Sequence, residues 1–291
     1  MPSHNLGQIK LGDLDIFGYS VAGEETVIAI PQLDICFDVG KAPEQIIPIN
    51  NILLSHGHID HCSGFAYYLS HRKFCGITTG TILAPAPLMA GMQKVLDGWA
   101  ILDGNAIPVN MVGMKGGDEY EVRHGLFARA FYTQHVRGSL GYTMVEKRKK
   151  LKAEYLSLSG QEIIKLKQDG MKIDYVLEMP LVSYFGDTEP GAFMADESVV
   201  NSKVIITECT FFYDDHIDRA RAGRHMHIND LAPLLENLKC EHIIITHITQ
   251  RIGVNDMRYI LRKKVSKETC EKIIILNQST FEPVCAKNKQ Q

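Results

Sequence analysis

Three imidazoles and one carboxylate fall within six positions of this sequence: His56, His58, Asp60 and His61. An apolar run, Asn51-Ile52-Leu53-Leu54, stands just before them and reads as a short buried strand. Gly57 and the polar cluster read as a tight loop at that strand's end. An extended or looped backbone points His56 and His58, two residues apart, to the same side. Asp60 and His61 lie beyond, at the turn into a helix expected to start near Asp60 and run to Leu69. They can face a second point in space. One site from His56 and His58, and another from Asp60 and His61, can hold two divalent metal ions about 3.5–4 Å apart. Imidazole and carboxylate favour Zn2+, with Mn2+ or Fe2+ as alternatives. A polar loop with coincidental histidines is the plainer reading. The spacing His-x-His-x-Asp-His after a strand argues against it, because donors of the right type rarely crowd together without a metal to serve.

Such ligands need strands to hold them. Apolar runs at residues 27–31, 35–38, 81–84, 127–132, 181–182, 204–207, 243–246 and 273–276 read as strands. Residues 87–99 and 228–238 read as helices. Chemistry-bearing residues recur where these strands stop: His135, Asp187, Glu208 and His247. Strand ends are where open α/β sheets keep their function. A lone histidine at such a place is usually structural. Here the first cluster needs further ligands from elsewhere in the chain, which puts His135 among them. A helix-capping role is the plainer account of Asp187. Asp38, closing the second strand, reads as a residue of a sheet turn.

The chain has 291 residues and is 45% hydrophobic, an ordinary globular composition. We find no linker, composition break or tandem repeat, and expect a single domain over residues 1–291. The formal net charge of −3 does not announce a nucleic-acid binder, so any basic patch must be local. One concentration exists: Lys147-Arg148-Lys149-Lys150-Leu151-Lys152, followed by Lys165 and Lys167. On composition alone it reads as a solvated helical face. Seven scattered cysteines without a CxxC read as reduced thiols, in a cytoplasmic or nuclear setting. The start, Met1-Pro2-Ser3-His4-Asn5, is not that of a signal peptide. No apolar stretch approaches the ~18 residues of a membrane span. The polar tail at 287–291 is expected to fray.

The first cluster resembles the metal motif of the metallo-β-lactamase fold, and the chain from about Gly18 to about Arg251 resembles tRNase Z, the short form of plants and some bacteria. Gly18-Tyr19-Ser20 and Phe37-Asp38-Val39-Gly40 match its opening motifs. Gly186-Asp187-Thr188 matches the fourth. Glu208-Cys209-Thr210-Phe211 is similar to the His-Glu-Ala-Thr motif, with Thr207 where histidine is usual. Arg224-His225-Met226-His227 is similar to the Gly-His-x-His of the plant enzymes; His225 is the better match and His227 a neighbour. Thr246-His247 matches the fifth motif.

The resemblance implies an α/β fold, an αββα sandwich of two mixed sheets flanked by helices. It implies that His56, His58 and His135 hold one metal, that Asp60, His61 and His247 hold the second, and that Asp187 bridges them. Two such cations bring the deprotonation of a water near neutral pH, giving a nucleophile that Asp60 can orient. The leaving 3′ oxygen needs a proton, and His225 held by Glu208 is the implied donor. The implied activity is removal of the 3′ trailer of precursor tRNA by a homodimer. Lys150-Leu151-Lys152-Ala153-Glu154-Tyr155 and Leu158-Ser159-Gly160 fit a plant-type segment, so a short basic arm near 147–172 is expected, with Lys149, Lys150 and Lys152 on the RNA. The Gly-Pro motif of longer bacterial arms is missing. Two other readings compete: a small-molecule hydrolase of this fold, either a phosphodiesterase or a glyoxalase II-like thioesterase, and a non-catalytic RNA-binding relative.

Overall fold

The computed structural model describes residues 5–194 and 197–285, so the tail expected to fray lies outside the described residues. Two sheets stack face to face. The first carries β1 (Gly7–Leu11), β2 (Leu14–Val21), β3 (Glu25–Ile30), β4 (Ile35–Phe37), β5 (Asn51–Leu53), β6 (Thr81–Pro85) and β7 (Asn110–Met114), side by side in that order. Its first four strands pair antiparallel and β4 to β7 pair parallel. The second carries β8 (Glu119–Arg123), β9 (Leu126–Tyr132), β10 (Leu140–Leu151), β11 (Asp174–Tyr184), β12 (Val204–Glu208), β13 (His242–Thr246), β14 (Ile273–Asn277) and β15 (Thr280–Pro283). There β11 to β14 run parallel and the flanking strands antiparallel.

Parallel strands buried on both faces read as unbroken apolar runs, and the cores explain why. Alternate side chains go to opposite faces. Ile28 and Ile30 of β3 meet Tyr142, Ile206 and Ile244 of the second sheet in a central core. Val27 and Ala29 point the other way, under α2 (Phe65–Phe74) and α3 (Met89–Asp103), against Leu69 and Met92. After the short helices α5 (Glu197–Val200) and α6 (Ile217–Gly223) in the chain come those of the far side, where Ile205, Ile243 and Ile275 pack with Leu231 of α7 (Ile228–Leu235) and Met257 of α8 (Val254–Lys264). The result is the four-layered αββα sandwich of two mixed sheets. No helix of the described residues is long and apolar enough to cross a membrane.

Three expectations need correction. The helix foreseen from Asp60 to Leu69 is broken: a single turn, α1 (Ile59–Cys62), is followed by α2 from Phe65. The Gly64 N–H donates to the Gly40 carbonyl at 2.7 Å, and a Cβ at Gly64 would stand 2.4 Å from the Ala42 nitrogen. The crossing 40–42 segment therefore interrupts the helix. The basic run is not helical: residues 147–150 are the outer half of β10, paired with β11. The lysines at 165 and 167 do lie on a helix, α4 (Gly160–Gln168), which opens with a Ser159–Glu162 capping box. Finally, Cys270 and Cys285, expected as thiols, form a disulfide. Helix α9 (Lys267–Lys272) and the end of β15 bring the two together across 15 residues of sequence, a closeness no spacing rule reveals. Cys36, Cys62, Cys75, Cys209 and Cys240 are free.

Candidate metal centre and the neighbouring histidine–glutamate pair

The ligand-bearing segments leave the carboxyl ends of strands in both sheets. β5 leads to His56, β9 to His135, β11 to Asp187, and β13 to His247. Gly186 lets β11 turn sharply: its φ is 61°, and a Cβ there would come within 2.7 Å of Ser55 Cβ. His247 itself holds a left-handed φ of 54°, with its N–H donated to Ser20 Oγ at 2.9 Å.

These turns gather every ligand expected from the sequence. One ligand atom each from His56, His58, His135 and Asp187 lies within 4.8 Å of the others, and so do those of Asp60, His61 and His247. Asp187 Oδ2 reaches both groups, at 3.7 Å from His56, 3.8 Å from His135, 3.4 Å from His61 and 3.3 Å from His247. His58 is exposed, whereas His56, His61, His135, Asp187 and His247 are buried. His56 Nε2, His61 Nε2 and Asp187 Oδ1 are buried polar atoms without a hydrogen-bond partner. Such orphans are costly unless something fills the gap between them. His58 Nδ1 and His135 Nε2 stand 3.1 Å apart, a separation suited to sharing one cation. Burial, then the surrounding imidazoles, hold His56 well below its ordinary pKa and so in the neutral form a metal requires. Burial opposes the charge on Asp187, yet His247 and His61 keep it well below the usual carboxylate range. The donor set fits divalent cations.

Sequence reasoning missed the groups that aim these ligands. Asp38, read as a turn residue, is fully buried with a φ of 52°. It accepts hydrogen bonds from the Ser55 N–H (2.7 Å), Ser55 Oγ (2.8 Å), His61 Nδ1 (2.7 Å) and the Tyr184 hydroxyl (2.6 Å). It stands one residue past β4, and nothing local hinted at this, since the partners come from the 55–61 segment and from β11. Arg224 clamps His135 twice: its carbonyl accepts from His135 Nδ1 at 3.1 Å and its guanidinium donates to the His135 carbonyl at 3.2 Å.

Next to these residues lies the pair expected to supply an acid. His225 Nδ1 is 2.9 Å from Glu208 Oε1 and 4.0 Å from Asp187 Oδ2. Burial works against a charge on His225, but the Glu208 carboxylate, its hydrogen bond and Asp187 together raise its pKa to about 9. His225 could also complete a metal-holding group with Asp187 and His247. His227 does neither. It is fully buried, caps α7 by accepting from the Asn229 N–H at 3.1 Å, and donates to the Tyr213 carbonyl at 3.0 Å.

The cleft over this centre measures about 360 Å³ and is lined by His58, Asp60, Phe211, His225, Thr249 and Arg251 among others. A larger cleft of about 930 Å³ opens at the opposite end of the sandwich, by Arg123, Glu146, Lys203 and Glu241, away from these groups. The structure does not bring Lys149, Lys150 and Lys152 to the centre. Leu140 begins β10 beside Ser55, and Lys150 lies ten residues further along the strand, about 33 Å at ~3.3 Å per residue.

Residues 32–248 match the β-lactamase superfamily domain. The chain is 33% identical over 246 residues to the tRNase Z TRZ1 of Arabidopsis thaliana, covering 83% of this chain and 88% of that one. It is 29% identical over 253 residues to the ribonuclease Z of Listeria welshimeri, covering 74% and 78%. Among solved structures, the human short-form tRNase Z superposes with a TM-score of 0.55 at 13% identity over 97% of this chain and 98% of that one. The metallo-β-lactamase fold protein YhfI of Bacillus subtilis gives 0.56, also at 13%, over 95% of both. These last two likenesses concern the fold.

Proposed function

Since the chain belongs to the tRNase Z family of the β-lactamase superfamily, we propose that it is a metal-dependent endoribonuclease that removes the 3′ trailer of precursor tRNA. The observation that carries this reading is the pairing of a seven-residue ligand set with a carboxylate-held histidine at its edge.

In this reading His56, His58 and His135 hold one divalent ion and Asp60, His61 and His247 the other, with Asp187 between them. Zinc is the first choice on ligand type, ahead of manganese and iron. When bound, such ions supply Lewis acidity for phosphodiester hydrolysis and bring water deprotonation near neutral pH. Asp60 orients the attacking water; its Oδ2 is itself fixed by the Gly23 N–H at 2.9 Å. Glu208 occupies His225 Nδ1, which leaves Nε2 to protonate the departing 3′ oxygen. That proton separates the competing readings. A ribose alkoxide leaves poorly without one, whereas a thiolate leaves unaided, so a thioesterase has no use for the Glu208–His225 pair.

The basic arm near 147–172 belongs to the same proposal. Lys147 is tied to Glu119 and Glu178, and Arg148 to Glu146. Among the described residues Lys149, Lys150 and Lys152 make no ion pair, and the exposed Tyr175 lies across from Lys150. Charge so far from the centre suits a long polyanion. A homodimer is part of the reading, supported by the exposed Tyr67, Phe74, Trp99 and Leu102 on α2 and α3; sedimentation equilibrium reads it directly. The compartment we favour is the cytoplasm or the nucleus, consistent with five free cysteines; fractionated cells probed with an antibody would place it elsewhere if this is wrong.

The test is a panel: metal-loaded protein with a 3′-extended pre-tRNA, a chromogenic phosphodiester and a glutathione thioester. Efficient pre-tRNA cleavage with little thioester turnover is expected. Thioester turnover without RNA cleavage would transfer the chain to the small-molecule reading.

A further inference from the structure

Thr210 is 3% exposed and stands two residues past the end of β12, between the two functional halves of the centre. Its hydroxyl donates to Glu208 Oε2 at 2.5 Å. The same oxygen lies 3.0 Å from His247 Nδ1. A hydroxyl has one proton, and here it is committed to the carboxylate. The contact with His247 must then run the other way, with Nδ1–H donating to Oγ. That fixes the His247 tautomer: Nε2 carries the lone pair, and it faces Asp60 Oδ2 at 3.4 Å and Asp187 Oδ2 at 3.3 Å. The other oxygen of Glu208 accepts from the Thr188 N–H at 2.7 Å and His225 Nδ1 at 2.9 Å. The chain of contacts is thus His247, Thr210, Glu208, His225. It runs from a metal-side imidazole to the acid group without a gap.

The first sheet repeats the arrangement with different residues. Ser55 Oγ donates to Asp38 Oδ2 at 2.8 Å and lies 2.9 Å from His56 Nδ1. The same proton count makes His56 Nδ1 a donor and leaves its Nε2 free, which is one of the orphaned buried atoms. Each sheet therefore places a hydroxyl between a buried carboxylate and a ligand histidine. Metal-binding histidines are commonly aimed by a carboxylate on their second nitrogen. His61 follows that rule, with Asp38 on its Nδ1 at 2.7 Å, whereas at His56 and His247 a hydroxyl stands between the two, and at Thr210 the carboxylate it reaches also holds the acid group.

We infer that Thr210 is a positioning residue with two effects: its hydroxyl sets the metal-binding tautomer of His247 and holds Glu208 in the pose that orients His225. The inference rests on the functional reading above, since it gives His247 and His225 the roles assigned there. A residue that only filled space would do neither. Valine has the shape of threonine without the hydroxyl, so Thr210→Val removes the relay and keeps the packing. Thr210→Ser keeps the hydroxyl and drops a methyl.

The experiment has two arms. The first needs no RNA: apo-protein is titrated with Zn2+ against a chromophoric chelator. Thr210→Val should weaken the equivalent that His247 helps hold by roughly 10–100-fold, the usual cost of losing an outer partner, and Thr210→Ser should restore it. The second compares two substrates at saturating Zn2+. On 3′-extended pre-tRNA, whose leaving alkoxide needs a proton, kcat of Thr210→Val should fall about 10²-fold, the lower range for loss of a general acid, with KM little changed. On bis(p-nitrophenyl) phosphate, whose phenolate leaves unaided, the loss should stay within about threefold by the same argument. Should the valine variant not fold, Thr210→Ala carries the same expectations. Zinc affinity equal to the parent, or equal losses on both phosphodiesters at saturating metal, would overturn the inference. If the parent itself cuts no pre-tRNA, the functional reading fails, while the zinc titration still decides the tautomer role of Thr210.

Discussion

Asp187 Oδ2 lies within 3.8 Å of nitrogens from His56, His61, His135 and His247, two from each ligand set. Removing it should cost both sets. We expect Asp187→Ala to fall from about two metal equivalents per chain toward none; two retained equivalents on elemental analysis would refute the bridging role. His225 is different, because its Nδ1 is committed to Glu208. His225→Ala should keep its metal and RNA affinity and lose roughly 10²–10⁴-fold in cleavage rate. Metal lost together with rate would make it a ligand instead. His227→Ala should cost about 1–2 kcal/mol of stability through the lost α7 cap, read by thermal melting, rather than chemistry. At this scale the residues that the structure gathers as candidate metal donors were legible because histidine and aspartate carry their chemistry in their type and recur at strand ends. Asp38, Ser55 and Thr210 were not. Each depends on a hydrogen bond to a segment far away in sequence, as with Asp38 and Tyr184 or Thr210 and His247.

The strands were legible because both faces are buried, so Val204 to Ile206 or Ile243 to Ile245 read as pure apolar runs. The broken helix at Gly64 was hidden, since its cause is a crossing segment at residues 40–42. The basic run was misjudged for a related reason: charge says nothing of period, and only its pairing with β11 makes it strand. That pairing sorts its members. Lys147 sits in a four-charge network with Glu119, Arg129 and Glu178. Lys147→Ala should therefore cost at most about 1 kcal/mol of stability, as partly exposed pairs do, and leave the salt dependence of cleavage unchanged. The combined Lys149→Ala, Lys150→Ala and Lys152→Ala variant should weaken pre-tRNA cleavage, flatten its fall with salt, and spare a chromogenic phosphodiester. Equal pre-tRNA cleavage by parent and triple variant at every salt concentration would reduce the run to a solvated face.

The whole molecule is a device for bringing strand ends from two sheets to one edge. Ligands from the first sheet, His56 to His61, meet Asp187 and His247 from the second across the sandwich. Neither half holds a full set, so metal binding and the docking of the two sheets should reinforce each other. Chelation should then lower the melting temperature, by roughly 5–10 °C if the ions are held with free metal near 100 times their dissociation constant; an unchanged melt would detach the centre from the fold. The sandwich was foreseen from the resemblance, while the Cys270–Cys285 disulfide, which ties the last strand to α9, was not. The most direct measurement of the central claim is the chemistry of the cut ends. A 3′-extended pre-tRNA should be split once, leaving a 3′-hydroxyl on the tRNA and a 5′-phosphate on the trailer, and only while divalent metal is present. A 2′,3′-cyclic phosphate on the tRNA, or cleavage that survives chelation, would contradict water attack at a metal centre with His225 protonating the leaving 3′ oxygen.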